Sequence, residues 1–291
     1  MPTVYLPLSD AQLIFLGLLF GMIIGSFLSM LSYRLPRHLL GQWQQQLDEE
    51  RTLTSSIESP QALTQIPSST QQPLSEINLS NRSQCPHCLH TLRWWQLIPI
   101  LGWLLQRGHC HDCHAPISWR YPVTELITAL LSGAVLWKFG LTDTGLIALG
   151  LTWTLILITI IDLEHHLIFD VISLPLVWIG LLLNLNQTFA PLEQAVMGAV
   201  AGYLILWLVF HLFKLATGKE GMGYGDFKLL AALGAWFGIM ALAEIILWAS
   251  ISSLIIGSLL LIMKNRGWQQ EIAFGPYLAL AGWIALMTTT A

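Results

Sequence analysis

Charge-free apolar stretches recur along this chain at a length that a lipid bilayer demands. Residues 11–33, 144–161, 171–192, 194–213, 245–263 and 272–291 contain no Asp, Glu, Lys or Arg. A bilayer core about 30 Å thick is crossed by about 20 apolar helical residues. Two shorter runs, 126–137 and 229–243, reach that length if the flanking Glu125, Lys138, Lys228 and Glu244 snorkel into the headgroups. The expectation is an all-α polytopic membrane protein with about eight transmembrane helices. Only 10% of the 291 residues are charged and 54% are apolar, against roughly 25% charged in soluble globular proteins. That excludes an ordinary soluble enzyme and a chain disordered throughout. Thirteen basic residues against 17 acidic ones leave no surplus for nucleic acid. Residues 11–33 lack a basic flank before them and read as a retained first helix, 1–33, rather than a signal peptide.

Basic residues collect on the cytosolic side of a membrane protein. With eight alternating spans, Arg34, Arg37, Arg51, Arg82, Arg93, Arg107, Arg120, Lys214, Lys219, Lys228, Lys264 and Arg266 share one side, leaving Lys138 on the other. Both termini are therefore expected outside and the long loop, 34–121, in the cytosol. Within that loop, residues 42–81 are rich in Gln, Ser, Thr and Pro and read as a flexible insertion. Residues 82–121 read as a separate module, and 122–291 as the remaining transmembrane bundle.

The module holds all four cysteines, as Cys85-Pro-His-Cys88 and Cys110-His-Asp-Cys113. Each C-x-x-C places two thiolates on one tight turn, and two such turns complete the tetrahedral set that Zn(II) favours. Four thiolates leave no open position, so the zinc is expected to be structural. Two disulfides are the alternative, disfavoured in a reducing compartment. His87, His109, His111 and His114 crowd the same turns as further candidate ligands.

Two acids stand at span ends. Asp162 closes the third span and Asp226 opens the sixth within Gly223-Tyr224-Gly225-Asp226-Phe227-Lys228, and the topology puts both at one cytosolic depth. Two carboxyls in a low-dielectric site cannot both ionise easily; one holds a proton while the other acts as base, the arrangement of an aspartic protease. Gly223 and Gly225 are expected to let a substrate backbone approach Asp226. An Asp at either place can also be a cap or a membrane-boundary residue. Asp170 reads as a cap, Glu164, His165 and His166 as interfacial residues, and His211 as a packing residue. Lys228, two residues on, points to a different helical face from Asp226.

Several of these elements together resemble the type IV prepilin peptidase family, a bifunctional leader peptidase and N-methyltransferase. They are Gly25-Ser26-Phe27 with Tyr33-Arg34-Leu35-Pro36, the two cysteine turns followed by Pro116-Ile117-Ser118-Trp119-Arg120-Tyr121-Pro122 and Glu125, the Gly223–Lys228 element, and Phe274-Gly275-Pro276-Tyr277-Leu278-Ala279. The resemblance implies an aspartic endopeptidase of the bacterial inner membrane. It would cut basic leaders from prepilins or pseudopilins after a glycine and methylate the new N-terminus from S-adenosylmethionine, serving type IV pili or type II secretion. Asp162 and Asp226 match its catalytic acids. The chain departs from the family at Phe169, usually Pro, and at Leu97, usually Asn. Gly108 and Glu125 are the candidates for methyl transfer, although no glycine-rich nucleotide fingerprint is present. A peptidase without methyl transfer is the alternative enzyme. A transporter using the two acids is the alternative from another class, but its acids belong near the bilayer midplane.

Overall fold

The computed structural model describes residues 8–58, 83–85, 87–219, 222–264 and 273–289. Residues 59–81 of the expected insertion, with Arg82, Gly221 and Arg266, lie outside the described residues. The described residues are almost entirely helical: α1 (Asp10–Glu58), α2 (Leu101–Leu105), α3 (Arg120–Phe139), α4 (Asp143–His165), α5 (Asp170–Leu183), α6 (Leu192–Thr217), α7 (Tyr224–Phe237), α8 (Ile239–Lys264) and α9 (Gly275–Thr288). Contacts divide the chain into two compact units, Met1–Gly25 with Glu125–Ala291, and Ser26–Thr124.

Eight of the nine helices follow the expected order, and among the described residues five are long and apolar enough to cross a membrane: α1, α3, α4, α6 and α8. The runs read as spans at 171–192, 229–243 and 272–291 are α5, α7 and α9, of 14 residues each, about 21 Å of helix. α5 stops where Asn184 begins a short 3-10 turn. α7 is ended by Gly238, whose φ of 81° suits a residue without Cβ, and α8 starts at the next residue rather than near 245. The short α7 need not reach through lipid, because it lies within protein: every residue from Leu229 to Phe237 is buried. Nor does α1 end at residue 33. It runs to Glu58, taking the Gln- and Glu-rich part of the expected insertion with it, since those side chains are good helix formers.

The first unit packs by backbone approach. Gly17, Gly21 and Gly25 make one stripe along α1, and a Cβ on each would stand 2.7, 2.6 and 2.7 Å from the Cα atoms of Gly133, Ala129 and Glu125 on α3. Likewise, Gly202 of α6 lies against the Leu230 carbonyl of α7, 2.7 Å from a built Cβ. Small residues substitute here for the hydrophobic effect, which lipid does not provide. Lys138, the one basic residue expected outside, donates to the Met287 and Thr289 carbonyls at 2.5 and 2.6 Å and so closes the C-terminus of α9.

Asn184 is fully buried and ties α5 to α7. Its Nδ2 donates to the Ala235 and Trp236 carbonyls at 2.8 and 2.9 Å, and its Oδ1 accepts from the Phe189 and Ala190 N–H groups at 3.0 and 3.1 Å. Asn184→Ala leaves four backbone groups without this partner, three of them in buried bonds. The expected cost is about 3 kcal/mol or more, read as a loss of unfolding free energy in mixed micelles; a change within about 0.5 kcal/mol would contradict the assignment.

Candidate active site and metal centre

The two acids arrive from opposite helix ends within one unit. Asp162 lies in the last turn of α4, and His166, at φ 53°, ends the helix by donating its N–H to the Asp162 carbonyl at 2.9 Å. Asp226 lies in the first turn of α7, which begins after Gly223. Both are buried, at 4% and 7% exposure, and close enough for one carboxyl to act electrostatically on the other. The backbone N–H of Gly275, at the start of α9, faces the Asp162 carboxyl, and His166 is within electrostatic reach of it. Asp162 Oδ2 is buried with no hydrogen-bond partner among the described residues. An orphaned carboxylate oxygen beside a second carboxyl is costly to a fold, and it leaves an acceptor free for a water molecule or a substrate group.

The two glycines before Asp226 differ. A Cβ on Gly223 would meet nothing nearer than Asp226 Oδ2 at 3.9 Å, so open space remains there. Gly225 does not leave such room: a Cβ would stand 2.7 Å from the Cβ of Ile168, which already fills the place. Space for an approaching backbone therefore lies beside Gly223 and not beside Gly225. Asp170 opens α5 as expected, but its carboxylate also meets Lys228 Nζ at 2.5 Å. Phe169, where the family resemblance leads to Pro, has φ −76°, the value a proline would impose, so the backbone there is unaltered. His211 packs on Trp207 and Phe210.

The second unit builds a separate site. All four cysteine Sγ atoms lie within 4.8 Å of one another, and Cys85 and Cys113 Sγ are 3.7 Å apart. That is far beyond a disulfide bond and close to the roughly 3.8 Å edge of a tetrahedron with Zn–S of about 2.3 Å. The two turns repeat one construction. Cys85 and Cys110 each accept an N–H four residues on, from Leu89 at 2.9 Å and His114 at 3.0 Å, and those residues take positive φ of 56° and 57°. Isolated antiparallel bridges, Gln84 with Thr91 and His109 with Pro116, close both turns. Burial works to raise the Cys85 thiol, but the Cys88 and His87 backbone N–H groups and neighbouring thiols bring it down to about 7. Against the pull of the Ala115 N–H, burial and the other three thiols push Cys113 up to about 12. Four such sulfurs ionise together only around a cation. The donor set therefore fits a metal ion.

Of the methyl-transfer candidates, Gly108 belongs to the second unit and Glu125, buried on α3, to the first. Gly108 has φ 73°, lies against the Trp103 ring and uses both backbone groups, its N–H to Trp103 O at 3.0 Å and its carbonyl from Ile117 N at 2.7 Å. These bonds support the second cysteine turn. Two neighbours of the acids were not singled out as site residues, Ile168 and Gly275. Gly275 could have been found as the Gly-Pro opening of an apolar run.

Comparison with known proteins gives this geometry a family. Residues 19–139 match the family described as bacterial peptidase A24 N-terminal domain, and residues 149–258 match the type IV leader peptidase family. A protein of Stutzerimonas stutzeri named prepilin leader peptidase/N-methyltransferase is 43% identical over 98% of this chain and 94% of its own. Proteins of the same name from Aeromonas hydrophila and Pseudomonas aeruginosa are 46% and 45% identical, over 92% and 97% of this chain and 88% and 93% of theirs. The chain belongs to the type IV leader peptidase family. It is a multi-pass membrane protein and an enzyme, a protease and methyltransferase of that family. No solved structure matches it.

Proposed function

We propose that this protein cuts the leader from prepilins or pseudopilins with Asp162 and Asp226, at the cytosolic face of the bacterial inner membrane, and methylates the new N-terminus from S-adenosylmethionine. The observation that carries the peptidase reading is the buried pair, one oxygen of which has no partner among the described residues. The ionised carboxyl takes a proton from a water molecule, which adds to the scissile carbonyl carbon. The protonated carboxyl donates to the carbonyl oxygen, and the C–N bond breaks as the departing nitrogen is protonated. Both acids lie at helix ends, where an extended peptide can arrive, and Gly223 leaves space for its backbone. Zn(II) held by Cys85, Cys88, Cys110 and Cys113 would supply structure, not catalysis.

Leader cleavage by purified protein in proteoliposomes tests the reading; ion flux without cleavage would favour a transporter. Gly223→Ala should fold normally, since its new Cβ has room. It should raise KM for prepilin on the order of tenfold by narrowing the approach; unchanged KM would remove Gly223 from the substrate path. The cytosolic placement rests on the basic-residue asymmetry. A cysteine introduced for Lys219, beyond the end of α6, should resist an impermeant reagent in intact cells and react in inverted vesicles. Labelling in intact cells would overturn the topology.

A further inference from the structure

Ile168 lies in the connection between α4 and α5 and reaches a neighbour of each acid. Its Cβ stands 2.7 Å from a Cβ built on Gly225, the residue before Asp226. Its Cδ1 stands 3.0 Å from one built on Gly275, whose N–H faces Asp162. The Ile168 side chain therefore occupies the room that two missing side chains leave, one beside each carboxyl. The same connection is fastened at two further places. Phe169 is 3% exposed, and Asp170 pairs with Lys228, two residues beyond Asp226. A cation near a helix N-terminus opposes the macrodipole, so Lys228 contributes through Asp170 rather than to α7 itself.

We propose that Ile168 is a positioning residue, a wedge between Gly225 and Gly275 that sets the separation of the two acids, with the Asp170–Lys228 ion pair holding it in place. The proposal rests on the dyad reading above. Two carboxyls that share a proton tolerate little change in separation, and a misplacement of about 1 Å costs on the order of 100-fold in rate. Glycine at 225 is then required by Ile168 and not by substrate, which makes the two residues a coupled pair.

Kinetics of prepilin cleavage by the full-length protein in proteoliposomes, with Ile168→Gly, Gly225→Ala, Gly275→Ala and the two double variants, test this. Glycine rather than alanine is needed at 168, because the Ile168 Cβ itself is the near atom. Gly225→Ala should lower kcat roughly 100-fold with KM within about twofold, rates being taken per folded, inserted protein so that lost fold is not read as lost kcat. Ile168→Gly should lower kcat about tenfold. In that background Gly225→Ala should cost less than about threefold, because the contact it violates is gone. Gly275→Ala should stay costly in both backgrounds, since its Cβ would also stand 2.5 Å from Asp162 Oδ2. Should Gly225→Ala fail to insert, recovery of insertion and cleavage in the double variant supports the wedge, and continued failure overturns it. Near-normal cleavage by Gly225→Ala, or losses that simply multiply, also overturns it. Those results leave the dyad reading standing; that reading fails separately, if Asp162→Asn or Asp226→Asn cleaves normally.

Discussion

Asp162→Asn and Asp226→Asn should each cut prepilin at least about 1000-fold more slowly than the parent protein, while remaining folded and inserted. An amide keeps the shape of the carboxyl but neither ionises nor passes a proton. Both side chains are buried, so bulk water is poorly placed to take over either role. If the two act as one unit, the double variant should be scarcely slower than either single one. Asp170→Asn should be milder: the N-cap of α5 is Phe169 and Asp170 is the first residue inside the helix, rather than the expected cap, so only the ion pair with Lys228 is weakened. Initial rates on a synthetic prepilin, with inserted protein quantified, decide this. Full activity in either Asn variant would mean that its acid takes no part in hydrolysis.

Purified protein should contain roughly one zinc per chain, held where four thiols lie within 4.8 Å of one another. Replacing any two of Cys85, Cys88, Cys110 and Cys113 by Ser should remove it. A structural zinc contributes on the order of 10 kcal/mol to such a site, so its loss should unfold the residues around both cysteine turns. Limited proteolysis should then cut within residues 83–124, while helices α4 to α9 stay protected. Metal is bound by thiolates, so binding strengthens as pH rises and weakens as pH falls through the Cys85 value of about 7. Metal analysis after dialysis at several pH values reads both effects. Unchanged zinc in the quadruple Ser variant would refute the site. Leader cleavage should fall with the zinc only if this module positions substrate.

The long apolar runs of α1, α4, α6 and α8 were legible in the sequence because lipid imposes a minimum length on a spanning helix. α5 was read too long and α7 a few residues late, since hydropathy marks neither the 3-10 turn at Asn184 nor the turn at Gly238. Residues 42–58 of α1 were read as part of an insertion because composition weighs polarity, whereas Gln, Glu and Arg continue a helix readily once it is nucleated. Cys85, Cys88, Cys110 and Cys113 were found from spacing alone, as metal geometry constrains sequence directly. The acids were found as charges among apolar residues. Ile168 carries no such mark. Its significance lies in two glycines that are distant in sequence, Gly225 and Gly275, and only the fold brings the three together. The partner of Lys228 was missed for the same reason: Asp170 is 58 residues away.

If Asp162 and Asp226 are the peptidase, methyl transfer should proceed without them. Mass spectrometry of the pilin N-terminus tests it most directly, after incubation of prepilin and of already cleaved pilin with S-adenosylmethionine and either the parent protein or Asp226→Asn. The parent should turn prepilin into a shortened product carrying one added methyl group. Asp226→Asn should leave prepilin intact and still methylate the cleaved pilin. Shortened product from Asp226→Asn in amounts comparable to the parent would mean that Asp226 takes no part in cleavage.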